Sequence, residues 1–253
     1  MYWISIFLGL LAILVILYFA VPGLILDWAY QAARRRAGLK RKELLVAKHN
    51  VSYLEGGKGQ PLVLIHGFGA NKDHWTMVSS SLTKRFHVFA FDLPGFGESS
   101  RLETETYSVA DQLSRILAIT DSLGLEYFHL GGNSMGGYLS ALFANMHPDK
   151  VASLWLLAPA GIETAKPSEV LEMIERGDNP LITESMEDFD RLGQLCFNTL
   201  PRVPEQFKKP LLEQARRDAP FNEKIFEEMF SGAIGLEQSL RDVQTPTLLV
   251  WGD

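Results

Sequence analysis

The chain has 253 residues, 47% of them hydrophobic, with a net charge of −6 and one cysteine. That length suits one sizeable folded core over roughly residues 43–253. The lone Cys196 excludes an intramolecular disulfide, in keeping with a cytoplasmic setting, and the acidic body excludes nucleic acid as a natural partner because it would repel phosphate.

Residues 3–21 are nineteen nearly uninterrupted apolar positions, about 28 Å as a helix, against a bilayer core of about 30 Å. They predict a transmembrane helix within an anchor at 1–26. A cleaved signal peptide is the competing reading, but there is no basic flank ahead of the apolar stretch and no small-x-small cleavage site. Between residues 1 and 42 six basic residues, Arg34, Arg35, Arg36, Lys40, Arg41 and Lys42, face the single acid Asp27. This juxtamembrane segment (27–42) predicts a single-pass protein with its body on the cytoplasmic side, and residues 34–42 suit anionic headgroups.

Short apolar runs then alternate with helical patterns. Strands are expected at 43–49, 51–55, 61–65, 86–91, 127–130, 151–157 and 247–251, and helices at 74–81, 108–123 and 138–146. Fully apolar short strands separated by helices predict a mostly parallel sheet covered on both faces. Gly57 and Gly59 read as a hairpin turn, and no dinucleotide-binding fingerprint is present. From about residue 161 to 240 strand patterning stops, and helices are expected at 168–176, 186–199, 204–218 and 222–230. They read as a cap of 161–240 inserted after a core of 43–160, which resumes at 241–253. Phe189, Leu192, Leu195 and Cys196 form a helical stripe that suits ordinary packing or an acyl pocket, as do Met173, Phe226, Met229 and Phe230.

The chemistry centres on Gly132-Asn133-Ser134-Met135-Gly136, between a strand and a helix. This is the context of a nucleophile elbow, in which glycines allow a sharp reversal and Ser134 is presented for attack. The Met135 N–H, just after the nucleophile, is one expected oxyanion donor. The other is the Phe68 N–H in Ile65-His66-Gly67-Phe68-Gly69, with His66 and Gly67 supporting the loop. Asp92 sits among turn-formers and reads as structural. The histidines are scattered without zinc-ligand spacing, so neither metal nor cofactor is expected; His147 reads as the end of a helix.

Together, Leu64-Ile65-His66-Gly67-Phe68, Asn71-Lys72-Asp73-His74-Trp75, Asp92-Leu93-Pro94-Gly95-Phe96-Gly97-Glu98-Ser99, the elbow, Pro159-Ala160-Gly161 and the stretch 245–253 resemble the alpha/beta-hydrolase superfamily. Within it the chain looks most like membrane-anchored monoacylglycerol lipases and related bacterial lipases. The resemblance implies an α/β fold with a helical cap, and hydrolysis of a lipophilic ester through an acyl-enzyme on Ser134. It also implies that the triad acid and base histidine lie beyond Asp253, itself in the preceding turn, so that the chain is a piece of a longer enzyme. Carbon-carbon bond hydrolases of the same fold, which share the serine and the cap, are one alternative. A non-catalytic membrane-tethered binding module is another. Oligomeric state is not indicated.

Overall fold

The computed structural model describes residues 2–3, 6–7, 18–164, 166–230, 235–241 and 243–252; Asp253 and most of 3–21 lie outside them. The core is one seven-stranded sheet, β1 (Leu39–Val46), β2 (His49–Gly57), β3 (Gln60–Ile65), β4 (Phe86–Phe91), β5 (Phe128–Asn133), β6 (Val151–Leu157) and β7 (Thr247–Val250), in the order β1-β2-β4-β3-β5-β6-β7. The pairs β1/β2 and β2/β4 are antiparallel, and all others are parallel.

Strand alternation builds two cores from one sheet. Along β3, Leu62 and Leu64 join Leu54, Val88 and Ala90 on one face, while Val63 and Ile65 join Phe89 and Phe91 on the other. The first face is closed by Trp75 and by Leu82 at the end of α2 (Thr76–Leu82). The second is closed by α3 (Val109–Ser122) and α4 (Met135–Met146), which bury Leu113, Ile116, Ile119, Leu139 and Phe143. Burying each such side chain contributes about 1.5–3 kcal/mol, so these contacts dominate the stability of the core. Ser108 starts α3 with a reciprocal capping box to Asp111.

Four expectations are corrected. The transmembrane helix over 3–21 is overturned: among the described residues no helix is long and apolar enough to cross a membrane. Helix α1 (Pro22–Arg36) begins only after Val21 has left helical geometry (φ −133°, ψ 53°), at a proline that cannot donate to a preceding turn. Tyr18 lies edge-on to Phe207, 5.7 Å between ring centroids, on the cap. The single-pass placement with the body on the cytoplasmic side rested on that span and falls with it.

The basic segment 34–42 also loses its assignment to lipid headgroups. Arg34 is bound to Asp73 through two 2.6 Å hydrogen bonds, Arg41 pairs with Glu43 and Glu98, and Lys42 meets Glu55 at 2.7 Å. These three charges are paired with carboxylates of the chain itself, Arg34 nearly buried and Arg41 and Lys42 at the surface, while Arg35, Arg36 and Lys40 stay exposed; with no span among the described residues to place them at a membrane, the headgroup assignment falls.

Gly57 and Gly59 do not form a hairpin. They carry the chain from β2 past the start of β4 to β3 at positive φ (81° and 124°), and a Cβ on either would lie within 2.3 Å of a backbone oxygen of residue 86 or 85. The hairpin is instead at Ala47 (φ 51°), between β1 and β2, where no glycine announces it. The final correction is in the cap, built by α5 (Glu169–Glu175), α6 (Met186–Cys196), α7 (Glu205–Phe230) and α8 (Leu236–Ser239). Helix α7 runs 26 residues through Pro210 and Pro220 where two helices were expected. Its second half is held by burial of Phe221, Ile225 and Met229, tertiary packing that offsets the hydrogen bond lost at a proline. Cys196 is exposed and not part of a core.

Candidate active site

Ser134 sits where β5 turns into α4, with φ 52° and ψ −117°, a conformation that a residue with a Cβ rarely adopts. Sterics force it. A Cβ on Gly132 would lie 2.1 Å from the Gly136 oxygen, and one on Gly136 would lie 2.3 Å from the Ile65 oxygen and 2.5 Å from that of His66. Strand, helix and the loop after β3 therefore approach as closely as backbones can. The Ser134 N–H donates to the Leu157 oxygen at 3.0 Å, and the Ser134 oxygen accepts from Tyr138 and Ala160. The corner is fixed from both sides while Ser134 stays partly exposed.

Met135 is buried as the first residue of α4, where an N–H has no intrahelical acceptor. A Cβ on Gly67 would come within 3.5 Å of the Ser134 Cβ and 3.0 Å of the Asn133 Oδ1, so the 66–69 loop borders the serine. The Phe68 ring packs edge-on against Phe96, Phe226 and Phe230, at 5.5, 5.6 and 6.2 Å between centroids. The cap thus grips the side chain of the loop residue expected to offer its N–H.

His66 is fully buried. Its Nε2 accepts the Leu93 N–H at 3.1 Å, which leaves the proton on Nδ1 to donate to the Gly67 oxygen at 2.7 Å. Burial pushes its pKa down, against a smaller opposing pull from Asp92, so the ring is held neutral as a structural link between two loops. His147 lies at a tilt against Phe143 at the far end of α4, about 20 Å along the helix from Ser134. His129 is engaged by Ser153 and Gln60. Among the described residues no group of acids, histidines or cysteines is arranged to hold a metal.

Beside the loop lies a charge network that sequence reasoning missed. Lys72 and Asp92 are both buried; Asp92 accepts from the Lys72 N–H (2.7 Å), the Lys72 Nζ (2.7 Å) and the Glu98 N–H (2.8 Å). Lys72 also reaches Glu98 at 2.9 Å. Burial raises the Glu98 pKa, but hydrogen bonds from Lys72 and Arg41 outweigh it and hold the carboxyl down to about 2. A Cβ on Gly97 would strike the Asp92 carboxylate within 2.6 Å. The sequence signal was a lysine between Asn71 and Asp73, but its partner is 20 residues away and nothing local names it.

The sequence matches the alpha/beta hydrolase fold family over residues 60–184. It is 34% identical over 228 residues to Lipase 1 of Psychrobacter immobilis, covering 88% of this chain and 72% of that one. With monoacylglycerol lipase abhd6-B of Xenopus laevis it shares 30% over 245 residues, covering 91% and 73%. Among solved structures it is similar to a membrane phospholipase A, a bacterial virulence factor (TM-score 0.89, 41% identity, 100% of this chain and 82% of that one). It is also similar to the meta-cleavage product hydrolase of Pseudomonas fluorescens IP01 (TM-score 0.70, 27% identity, 83% and 79%).

Proposed function

The chain belongs to the alpha/beta hydrolase family and is an enzyme of the carboxylic ester hydrolase type, and from that premise we propose that Ser134 is its nucleophile and a monoacylglycerol or similar lipophilic ester its substrate. The observation that carries this reading is Ser134 itself, held at φ 52° on a corner that only glycines at 132 and 136 permit. In the proposed step the Ser134 Oγ attacks the ester carbonyl carbon as its proton passes through a general base to the leaving alkoxide. The Met135 and Phe68 N–H groups receive the oxyanion, the alcohol departs, and water then releases the acid from the acyl-enzyme. His66 and His147 are unsuited to act as the base, the first because both ring nitrogens are engaged and the second by distance. Phe226 and Phe230, beside Phe68, offer an apolar wall for the acyl tail.

The carbon-carbon bond hydrolase reading rests on a lower identity and a lower TM-score than the membrane phospholipase A gives. A lipophilic ester also suits the half-buried aromatic wall. The test is labelling of the full-length protein with a fluorophosphonate and hydrolysis of a monoacylglycerol. The expected outcome is one adduct, on Ser134, with both labelling and turnover reduced about a thousandfold or more by Ser134→Ala. An adduct that survives Ser134→Ala, or none in the parent protein, overturns the assignment.

A further inference from the structure

The N-terminal helix α1 contributes one arginine to the charge network that anchors the 66–73 loop. Arg34 grips the Asp73 carboxylate with Nε and Nη2, each at 2.6 Å, across 39 residues of sequence. Asp73 belongs to the 3-10 turn Lys72–Trp75 that ends the loop carrying Phe68, and its N–H is capped by Asn71 at 2.9 Å. Its Oδ2 lies 3.7 Å from the Lys72 Nζ. Within the network Arg34, Arg41 and Lys72 face Asp73, Asp92 and Glu98, and Arg41 also meets Glu43, so each cation has a carboxylate within reach.

We propose that α1 is a positioning element for the oxyanion loop, with Arg34 as the positioning residue acting through Asp73 and Lys72 on the Phe68 N–H. The proposal rests on the oxyanion role proposed for Phe68. Without Arg34, Asp73 is a nearly buried carboxylate (side chain 6% exposed) whose nearest remaining cation is Lys72. An uncompensated buried charge draws whatever counter-charge it can reach. Lys72 is flexible enough to answer, and every shift of its Nζ toward Asp73 weakens its bonds to Asp92 and Glu98. Asp92 also accepts the Lys72 backbone N–H, so the loop end moves with it. The other end of the loop is tied through His66 to the Leu93 N–H, next to Asp92, so both ends are anchored on the Asp92–Leu93 segment.

Arg34 is a better probe of this coupling than Lys72. It borders a polar cavity of about 350 Å³ together with Tyr30, Arg41, Asp73, Glu98 and Gln214. Solvent can enter there when the guanidinium is removed, so Arg34→Gln is expected to fold. The experiment compares full-length parent, Arg34→Gln, Arg34→Lys and Arg34→Gln/Asp73→Asn. Readouts are fluorophosphonate labelling rate, kcat and KM per labelled serine, and amide hydrogen exchange across residues 66–73.

Arg34→Gln is expected to lower kcat and labelling rate about tenfold to hundredfold with KM changed less than about threefold, because a misplaced donor is felt in the transition state. Exchange across 66–73 rises in the same variant. Arg34→Lys restores part of the rate, and the double variant restores most of it by removing the stranded charge. A merely structural role predicts a lower Tm with an unchanged rate per labelled serine and unchanged exchange in the loop, and that result overturns the proposal. Absence of any Ser134 adduct in the parent protein defeats the nucleophile assignment, whereas exchange in the loop still decides whether Arg34 holds it.

Discussion

The elbow at Ser134 and the neighbouring 66–73 loop meet within one corner of the molecule, yet they are held by opposite means. The elbow is held by exclusion: Gly132 and Gly136 sit where a single methyl group would overlap backbone atoms. The loop is held by attraction: Arg34, Arg41 and Lys72 pair with Asp73, Asp92 and Glu98 across segments distant in sequence. A steric constraint has no partner that can be changed to relieve it. A charge constraint does, because removing both members of a pair leaves no stranded charge.

The sharpest way to break this contrast is Gly136→Ala, which places a Cβ 2.3 Å from the Ile65 oxygen. It is expected to lower stability by more than about 4 kcal/mol or to prevent soluble expression, read by thermal or urea unfolding. A native-like Tm would show that the backbones can part and that the elbow is not sterically locked.

Next in size is Lys72→Met, which leaves Asp92 buried and loses about 3 kcal/mol, with Asp92→Asn added to it recovering a substantial part. Urea midpoints of the two variants give the comparison. If the double variant is as unstable as the single one, the charges contribute less than the shape of the side chains, and the distinction between the two regions weakens.

The smallest effect is a pH dependence from His66, the link between the loops. Its folded pKa is lowered by burial, so the unfolded chain binds more protons than the native one and stability rises with pH. The contribution is fully present above the unfolded value of about 6.5 and is lost as pH falls through the folded value. Urea midpoints between pH 8 and pH 5 are expected to fall on acidification, with a component missing in His66→Gln. Equal slopes in parent and variant would remove His66 from the account.

Much of the fold was legible in the residues. The short apolar strands from 61 to 157 are found close to where periodicity puts them, because a strand buried on both faces needs apolar residues throughout. Strand β5 runs on to Asn133, past the expected end at Leu130, since pairing to β3 and β6 outweighs the poor strand preference of Gly131 and Gly132. The β1–β2 turn was misplaced because Ala47 has no turn signature. The cap helix was split at Pro220 because a proline reads locally as a break, and only its packing against the core shows otherwise.

What the sequence by itself determined was local: the alternation of apolar strands and helices, the Gly-x-Ser-x-Gly corner and the glycine-rich loop, each a matter of which residues tolerate which backbone. Tertiary structure alone decided the sheet order, the packing of Phe68 under the cap, and the partners of Arg34, Arg41 and Lys42, whose charges looked from the sequence like a surface for lipid. The physical reason is range. Backbone sterics act between neighbours in the chain, whereas a charge is satisfied by whichever opposite charge the fold brings within about 3 Å, from any distance in sequence.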